Sequence, residues 1–163
     1  MKIGDYNVRP SLLHYGVAIF FFSVLLLYGF ATGDWKTVLF CAPLVVFMLI
    51  IPMALNYMSQ KQYTSLLPYY KEYARSIKTR EVNERLLSNP VRLEGIVEQI
   101  RFTSLNRPHY VLADRTGSIT VKMFTDPGVK IQVGDRVFVY GQVIHRYIVF
   151  GDPVINGVHI EIF

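Results

Sequence analysis

The chain divides into two stretches whose hydrophobic patterns differ. In the first stretch, no aspartate, glutamate, lysine or arginine occurs between Arg9 and Asp34, or between Lys36 and Lys61. Each apolar run exceeds the ~20 residues that an α-helix needs to cross a bilayer. Only helices and closed barrels satisfy the backbone polar groups within a bilayer. The pattern therefore predicts two transmembrane helices, at about 12–32 and 37–57.

The short connection between these runs predicts a helical hairpin with both ends on one side of the membrane. The connection consists of residues 33–36. Lys2 and Arg9 precede the hairpin, and a basic segment begins at Lys61 after it. Because basic residues mark the cytoplasmic side of a span, we expect an integral membrane protein with both termini in the cytoplasm. Residues 1–58 would form the membrane anchor.

Residues 59–89 are predicted to form a basic helical connector. Between Gln60 and Asn89 there are six basic residues and three acidic ones. Several aromatic and apolar residues recur there at approximately helical spacing, namely Tyr70, Tyr73, Ile77, Leu86 and Leu87. A basic amphipathic helix beside a span is typical of contact with anionic headgroups, so membrane lipid is an expected partner. The same charges would also suit contact with a nucleic acid.

The second stretch, residues 90–163, has the pattern of a small all-β domain. Short alternating runs are separated by turn signals roughly every ten residues. Gly95 and Gly141 interrupt two of the runs, which indicates bends in strongly coiled strands, and Gly117 is expected to give its turn a positive φ. The segment after the fourth run offers two short strands around Gly151 to Gly157. Alternation places seven side chains inside, namely Leu112, Ile119, Val121, Met123, Val137, Val139 and Ile160.

A series of strand and turn positions carries a family resemblance. These positions are, in order, Tyr110, Leu112, Asp114, Gly117, Ile119, Val121, Val133, Gly134, Asp135, Val137, Val139, Gly141 and Val143. Over residues 90–163 this order resembles the OB-fold of nucleic-acid-binding type, as in tRNA-anticodon-binding and replication-protein-A-like domains. The resemblance implies a five-stranded OB-fold barrel after the transmembrane α-hairpin. The fold usually carries a helix between its third and fourth strands, but Pro127 and Gly128 favour a loop here.

The resemblance also implies a candidate surface for single-stranded DNA or RNA. OB-folds bind oligonucleotides with strands two and three and the adjacent loops. Cations there neutralise phosphates, and aromatic rings stack on bases. The candidate residues are Arg101, Phe102, Arg107, His109, Lys122, Phe124, Arg146 and Tyr147. An ordinary structural interpretation of the same residues stays open, with solvated arginines and aromatic rings that fill the barrel ends.

Two functions remain open from the sequence. The first is a membrane-anchored module that binds single-stranded nucleic acid at the cytoplasmic membrane face. The second is a protein-docking accessory subunit of a membrane complex, with other subunits as partners. From Pro90 onward eight basic residues face seven acidic ones, so net charge does not decide. The placement of the charges would decide between the two functions. Convergence of the candidate cations on one face favours nucleic-acid binding, whereas their neutralisation by Glu94 and Glu98 favours protein docking.

The sequence offers little for catalysis. The histidines lack metal-ligand spacing, and neither a nucleophile elbow nor a glycine-rich phosphate loop is present. Cys41 is the single cysteine, which excludes an intrachain disulfide and a cysteine-based metal site. Asp114 and Asp135 lie at predicted turns, where carboxylates commonly accept hydrogen bonds from nearby amides. We therefore expect a non-enzymatic protein without cofactor or metal.

Overall fold

The computed structural model describes residues 2–3, 6–8, 10–147 and 150–163. Arg9, which supports the predicted orientation, lies outside the described residues, as does the side chain of Lys2. The chain forms two compact units, Met1–Met58 and Ser59–Phe163. Each unit is considered by itself below.

The first unit contains a helical hairpin. Helix α1 spans Leu12–Thr32, and α2 begins at Trp35. Ser11 precedes α1, and its backbone N–H donates to Nδ1 of His14 at 3.3 Å. Gly33 ends the helix with a φ of 73°, and its N–H donates to the Gly29 carbonyl at 2.9 Å, as in a left-handed C-cap. Two short antiparallel strands, Lys2–Ile3 and Tyr6–Asn7, precede α1.

Both helices are long and apolar enough to cross a membrane. The bounds of α1 match the predicted first helix. Helix α2 continues far beyond the predicted end at 57 and stops at Tyr73. Most of their apolar side chains are not buried, since only 11% and 6% of the two most apolar windows are buried within the protein.

The sequence predicts a helical connector over residues 59–89. In the structure the connector is helical only as far as Tyr73. A strand at Arg75–Ser76 and two 3₁₀ turns, Thr79–Glu81 and Glu84–Leu86, follow α2. Ile77 is buried in the barrel core, and its N–H donates to the Arg92 carbonyl at 3.0 Å. Pairing with the barrel therefore overrides the helical spacing, because burial against a core outweighs local propensity.

The second unit is a closed barrel of five strands. They are β1 (Pro90–Arg101), β2 (His109–Asp114), β3 (Gly117–Met123), β4 (Arg136–Tyr147) and β5 (Phe150–Ile162). The order of neighbours is β1-β2-β3-β5-β4, and β4 also pairs with β1, which closes the barrel. The β3–β5 pairing is parallel and the others are antiparallel. This is the OB-fold, as expected from the sequence, with Arg75–Ser76 as an extra edge strand beside β1.

The predicted interior is confirmed. All seven side chains expected inside are buried and belong to one hydrophobic core. The two mid-strand glycines also lie where a side chain would collide: a Cβ on Gly95 would come within 2.9 Å of the Ala113 carbonyl oxygen, and one on Gly141 would strike that of Asn156. Both glycines are therefore explained by a close approach of neighbouring backbones, which the strong coiling of a small barrel produces.

Two local expectations were wrong and one is confirmed. Gly117 is not among the glycines with positive φ, because the carboxylate of Asp114 organises that turn and accepts from the Gly117 N–H at 3.1 Å. The segment predicted as two short strands is the single strand β5, which bends while it pairs with both β3 and β4. Residues 124–135, between β3 and β4, contain no helix, as expected.

Candidate nucleic-acid interface

Three of the predicted residues form a row across β1, β2 and β3. Arg101 pairs with His109, and His109 pairs with Lys122. Their neighbours Tyr110 and Val121 are buried in the core. Because successive side chains of a strand alternate between its two faces, the row lies on the outer surface. We name this surface the β2–β3 face.

The loop between β1 and β2 contributes two further candidates. Phe102, which is 52% exposed, packs edge-on against His109 with 4.8 Å between ring centroids. It has a φ of 59°, unusual for a residue with a side chain. The guanidinium of Arg107 lies 5.6 Å from the ring centroid of Phe124, which follows Lys122 by two residues. The loop thus places a ring and a cation beside the row.

The end of β4 contributes the last two candidates. Lys122 Nζ donates a hydrogen bond to the carbonyl oxygen of Arg146. Tyr147 follows and is 57% exposed, and its ring lies 5.4 Å from that of Phe150, which is 69% exposed. The sequence analysis missed Phe150, although an aromatic residue just before Gly151 at a hairpin end could have indicated it. These contacts bring seven of the eight predicted residues together, whereas Tyr147 is linked to them only through its neighbour Arg146 in β4.

The cations of this face are not neutralised by carboxylates. In the described part of the chain, no ion pair includes Arg101, Arg107, Lys122 or Arg146. Arg101 donates instead to the neutral amide oxygen of Gln99, at 3.0 and 2.6 Å. Glu94, one of the acidic residues that could have balanced them, lies 3.5 Å from Arg136. The face therefore keeps its positive charge.

Burial and the proximity of cations lower the pKa values of two residues of this face, His109 and Lys122. Burial lowers the pKa of His109, and the charges of Lys122 and Arg101 lower it further. Burial and the nearby Arg146 also lower the pKa of Lys122. Since an unperturbed histidine has a pKa of about 6.5, His109 is mainly neutral at pH 7. An anion bound here would oppose both shifts, because it stabilises the charged forms.

The two turn carboxylates are structural, as their positions predicted. Asp114 accepts from the backbone N–H groups of Thr79 at 2.9 Å and Thr116 at 2.6 Å. Burial alone would raise the pKa of Asp114, but the hydrogen bonds from Thr116 and Thr79 outweigh it and hold the pKa well below its usual range. Asp135 accepts from the Gln132 N–H at 2.7 Å. Among the described residues, no three His, Cys, Asp or Glu side chains are grouped to hold a metal ion.

Comparisons with solved structures cover about half of this chain. No protein-family model matches the chain, and no curated protein is similar to it in sequence. Among solved structures, the asparaginyl-tRNA synthetase of Pyrococcus horikoshii matches with 20% identity and a TM-score of 0.45, over 53% of this chain and 22% of that one. A replication protein A heterotrimer bound to single-stranded DNA matches with 21% identity and a TM-score of 0.40, over 47% and 58%. An OBody bound to hen egg-white lysozyme matches with 17% identity and a TM-score of 0.45, over 53% and 91%. This chain thus spans about a fifth of the synthetase.

Proposed function

We propose that the barrel binds single-stranded nucleic acid on the β2–β3 face, without catalysis, at the cytoplasmic side of a membrane. One observation carries this proposal: Arg101, Arg107, Lys122 and Arg146 share one surface with exposed rings and without an ion pair in the described part of the chain. That surface is the one with which OB-folds commonly bind oligonucleotides.

The rings favour a single strand over a duplex. Phe102, Tyr147 and Phe150 are each more than half exposed, at the two ends of the face. Bases can stack on such rings only when they are unpaired and turned outward. Each stacked base contributes about 1–3 kcal/mol by alanine substitution, while cations between the rings neutralise the phosphates.

The proposed anchor consists of the two apolar helices, with the domain arrangement expected above: 1–58 as the anchor, 59–89 as the connector and 90–163 as the binding domain. Support comes from the apolar side chains exposed all along both helices, such as Phe30, Leu39 and Phe40. A soluble protein rarely exposes apolar patches of this extent, whereas lipid tails would cover them. Membrane lipid is therefore a proposed partner.

The test is fluorescence anisotropy of labelled single-stranded DNA and RNA with the full chain in phosphatidylcholine nanodiscs. We expect binding that weakens as salt rises, because bound phosphates release counterions. The double variant Lys122→Glu with Phe124→Ala should abolish it, since it reverses one charge of the row and removes one ring. The matched control is Arg136→Glu with Phe163→Ala, which likewise reverses one cation and removes one ring on another part of the barrel, and it should bind as the unmodified chain does.

Two results would contradict the proposal. Binding that survives in the Lys122→Glu, Phe124→Ala variant would remove these residues from the site. Absence of salt-dependent binding to any oligonucleotide at about 100 µM protein would leave the alternative, a protein-docking accessory subunit of a membrane complex. Circular dichroism of each variant verifies that the barrel is folded.

A further inference from the structure

A second surface of the barrel carries a row of alternating cations and rings. It is formed by the outer side chains of β4, the first half of β1 and the end of β5, and we name it the β1–β4–β5 face. The rings of Phe138 and Phe163 are stacked, with 4.2 Å between centroids and 20° between planes. The guanidinium of Arg136 lies 5.1 Å from the Phe163 centroid, and that of Arg92 lies 4.1 Å from the Phe138 centroid. Tyr140 extends the row, 5.8 Å from Arg92.

Arg92 has no carboxylate partner among the described residues. Its charge is compensated by the Phe138 and Tyr140 rings, and its buried Nε–H finds no hydrogen-bond acceptor there. The planar guanidinium of Arg92, 4.1 Å from the Phe138 centroid, has a fork of N–H groups that can bind a carboxylate with two parallel hydrogen bonds. Because this fork is pre-organised, less entropy is lost per hydrogen bond formed than for a lysine.

The acids of this face argue against a nucleic-acid strand as its occupant. Glu94 lies 3.5 Å from Arg136, and Glu161 lies 2.6 Å from Lys71. A continuous polyanion that crossed the row would meet both carboxylates, and like charges brought together disfavour binding. A protein segment can instead place one carboxylate beside Arg92 and neutral groups beside the two acids. Charge complementarity therefore favours a protein partner.

An adjoining groove offers room for more of the same segment. Its volume is about 960 Å³, and it is lined in part by Gly95, Ile96 and Ala113. Glu94 and Arg136 line the groove and also border the row of rings, so the two are continuous. Ile96 and Phe163 are both about half exposed. The combined surface has apolar contact area beside one cation, Arg92, that has no carboxylate partner among the described residues.

We propose that the β1–β4–β5 face docks an extended segment of a partner protein in which one acidic residue lies among aromatic and apolar residues. An aromatic side chain packs on Phe163, a carboxylate binds the edge of the Arg92 guanidinium, and an apolar side chain enters the groove over Ile96. This site is separate from the β2–β3 face. Its failure or success is independent of nucleic-acid binding.

The experiment uses the full chain in phosphatidylcholine nanodiscs and a fluorescein-labelled peptide with one aspartate among phenylalanine and neutral polar residues. A control peptide carries asparagine in place of the aspartate. We expect the acidic peptide to bind at tens of micromolar, a value typical of a small extended contact, and the control peptide to bind about tenfold more weakly. Arg92→Met, which keeps the packing volume but removes the charge, should weaken binding about tenfold, and Lys122→Glu should leave it unchanged.

Arg92→Lys separates the geometry of the guanidinium from its charge. It should also weaken binding, because an ammonium has no planar fork. Phe163→Ala provides a second variant should Arg92→Met not fold, and it too should weaken binding. The proposal is overturned by absence of peptide binding at about 1 mM, by equal binding of the two peptides, or by loss of binding in Lys122→Glu. Displacement of the peptide by an oligonucleotide bound at the β1–β4–β5 face would overturn it as well.

Discussion

The two outer faces of the barrel contain the same kinds of side chain and differ in how their charges are compensated. On the β2–β3 face, Arg101 donates to a neutral amide and Lys122 to a backbone carbonyl. On the β1–β4–β5 face, Arg136 and Lys71 have carboxylate partners, and Arg92 lies over a ring. The first face stays positive over a broad area, whereas the second is nearly balanced.

This difference shows that a count of cations and rings does not specify a ligand. The positions of the acids do, because they decide whether a polyanion or a segment of mixed charge can approach. In this barrel the strand register sets those positions. Phe138 of β4 pairs with Glu94 of β1 on one side and with Glu161 of β5 on the other. In contrast, His109 of β2 pairs with Arg101 on one side and with Lys122 on the other.

The largest expected effect comes from a substitution that destabilises the barrel and so disrupts both faces together. Gly141 lies in β4, and a side chain there would strike the backbone of Asn156 and the side chain of Ile155. Backbone cannot move aside as a flexible side chain can, so Gly141→Val should reduce the free energy of unfolding by at least about 3 kcal/mol. Urea denaturation of the full chain in detergent micelles measures this change.

A strand position that points outward provides the control. Thr120→Val in β3 is half-buried and should change the free energy of unfolding by less than about 1 kcal/mol. Similar stability of the Gly141→Val variant and the unmodified chain would mean that β4 and β5 do not approach closely at this point. It would contradict the expectation that both faces depend on this strand contact.

A smaller expected effect, on the β2–β3 face alone, is a pH dependence of oligonucleotide affinity through His109. The pKa of His109 is lowered by burial and by Lys122 and Arg101, and its protonation as pH falls adds a cation that bound phosphate stabilises. Oligonucleotide affinity should therefore rise about threefold to tenfold between about pH 7.5 and pH 5.5, and His109→Gln should remove most of this rise. Anisotropy at constant ionic strength measures it.

The same histidine should make the free energy of unfolding decrease as pH falls, whereas oligonucleotide affinity should increase. Since the folded pKa of His109 lies below the unfolded value of about 6.5, the unfolded state binds more protons as pH falls. The barrel should lose stability below about pH 6.5, and His109→Gln should lose less. An affinity that is flat with pH would indicate that phosphate does not approach His109.

The smallest effect concerns the ion pair beside the β1–β4–β5 face. Lys71 Nζ lies 2.6 Å from Glu161, and both side chains are partly exposed. Such surface pairs contribute little, so Lys71→Met should reduce the free energy of unfolding by at most about 1 kcal/mol. The exposed Lys130→Met serves as the control and should have no effect.

The pH dependence identifies this pair. The hydrogen bond from Lys71 lowers the pKa of Glu161, so the contribution is present above the unfolded value of about 4.3 and is lost as pH falls through the folded one. Urea denaturation at about pH 7 and about pH 3 compares the two conditions. A difference between Lys71→Met and the unmodified chain that persists at the lower pH would assign the effect to packing over Tyr140, not to the ion pair.

Much of the fold could be predicted because it follows from local patterns. The charge-free run at 12–32 became α1, and strict alternation placed Leu112, Val121 and Val139 in the core. Prediction failed where a long-range contact decides the structure. Ile77 joins the barrel instead of a helix, and β5 stays one strand because it bends between two partners.

The candidate site divides in the same way. The sequence could name cations and rings near strands two and three, since strand parity and the OB resemblance indicate the outer positions. Phe150 was missed, although its position before Gly151 could have indicated it, because its relevance depends on the contact of its ring with Tyr147. The sequence could not assign Phe138 and Phe163 to one surface, because their stacking joins residues far apart in the chain.

The sequence by itself determined the division into two apolar helices and an OB barrel, because hydrophobic periodicity and turn chemistry act over a few residues. Only the tertiary structure decided which charges meet. Glu94 pairs with Arg136, and Arg101 donates to Gln99, because barrel closure and the local β1 backbone bring those groups within bonding distance. Electrostatic compensation depends on distances of a few ångströms, which a one-dimensional pattern does not contain.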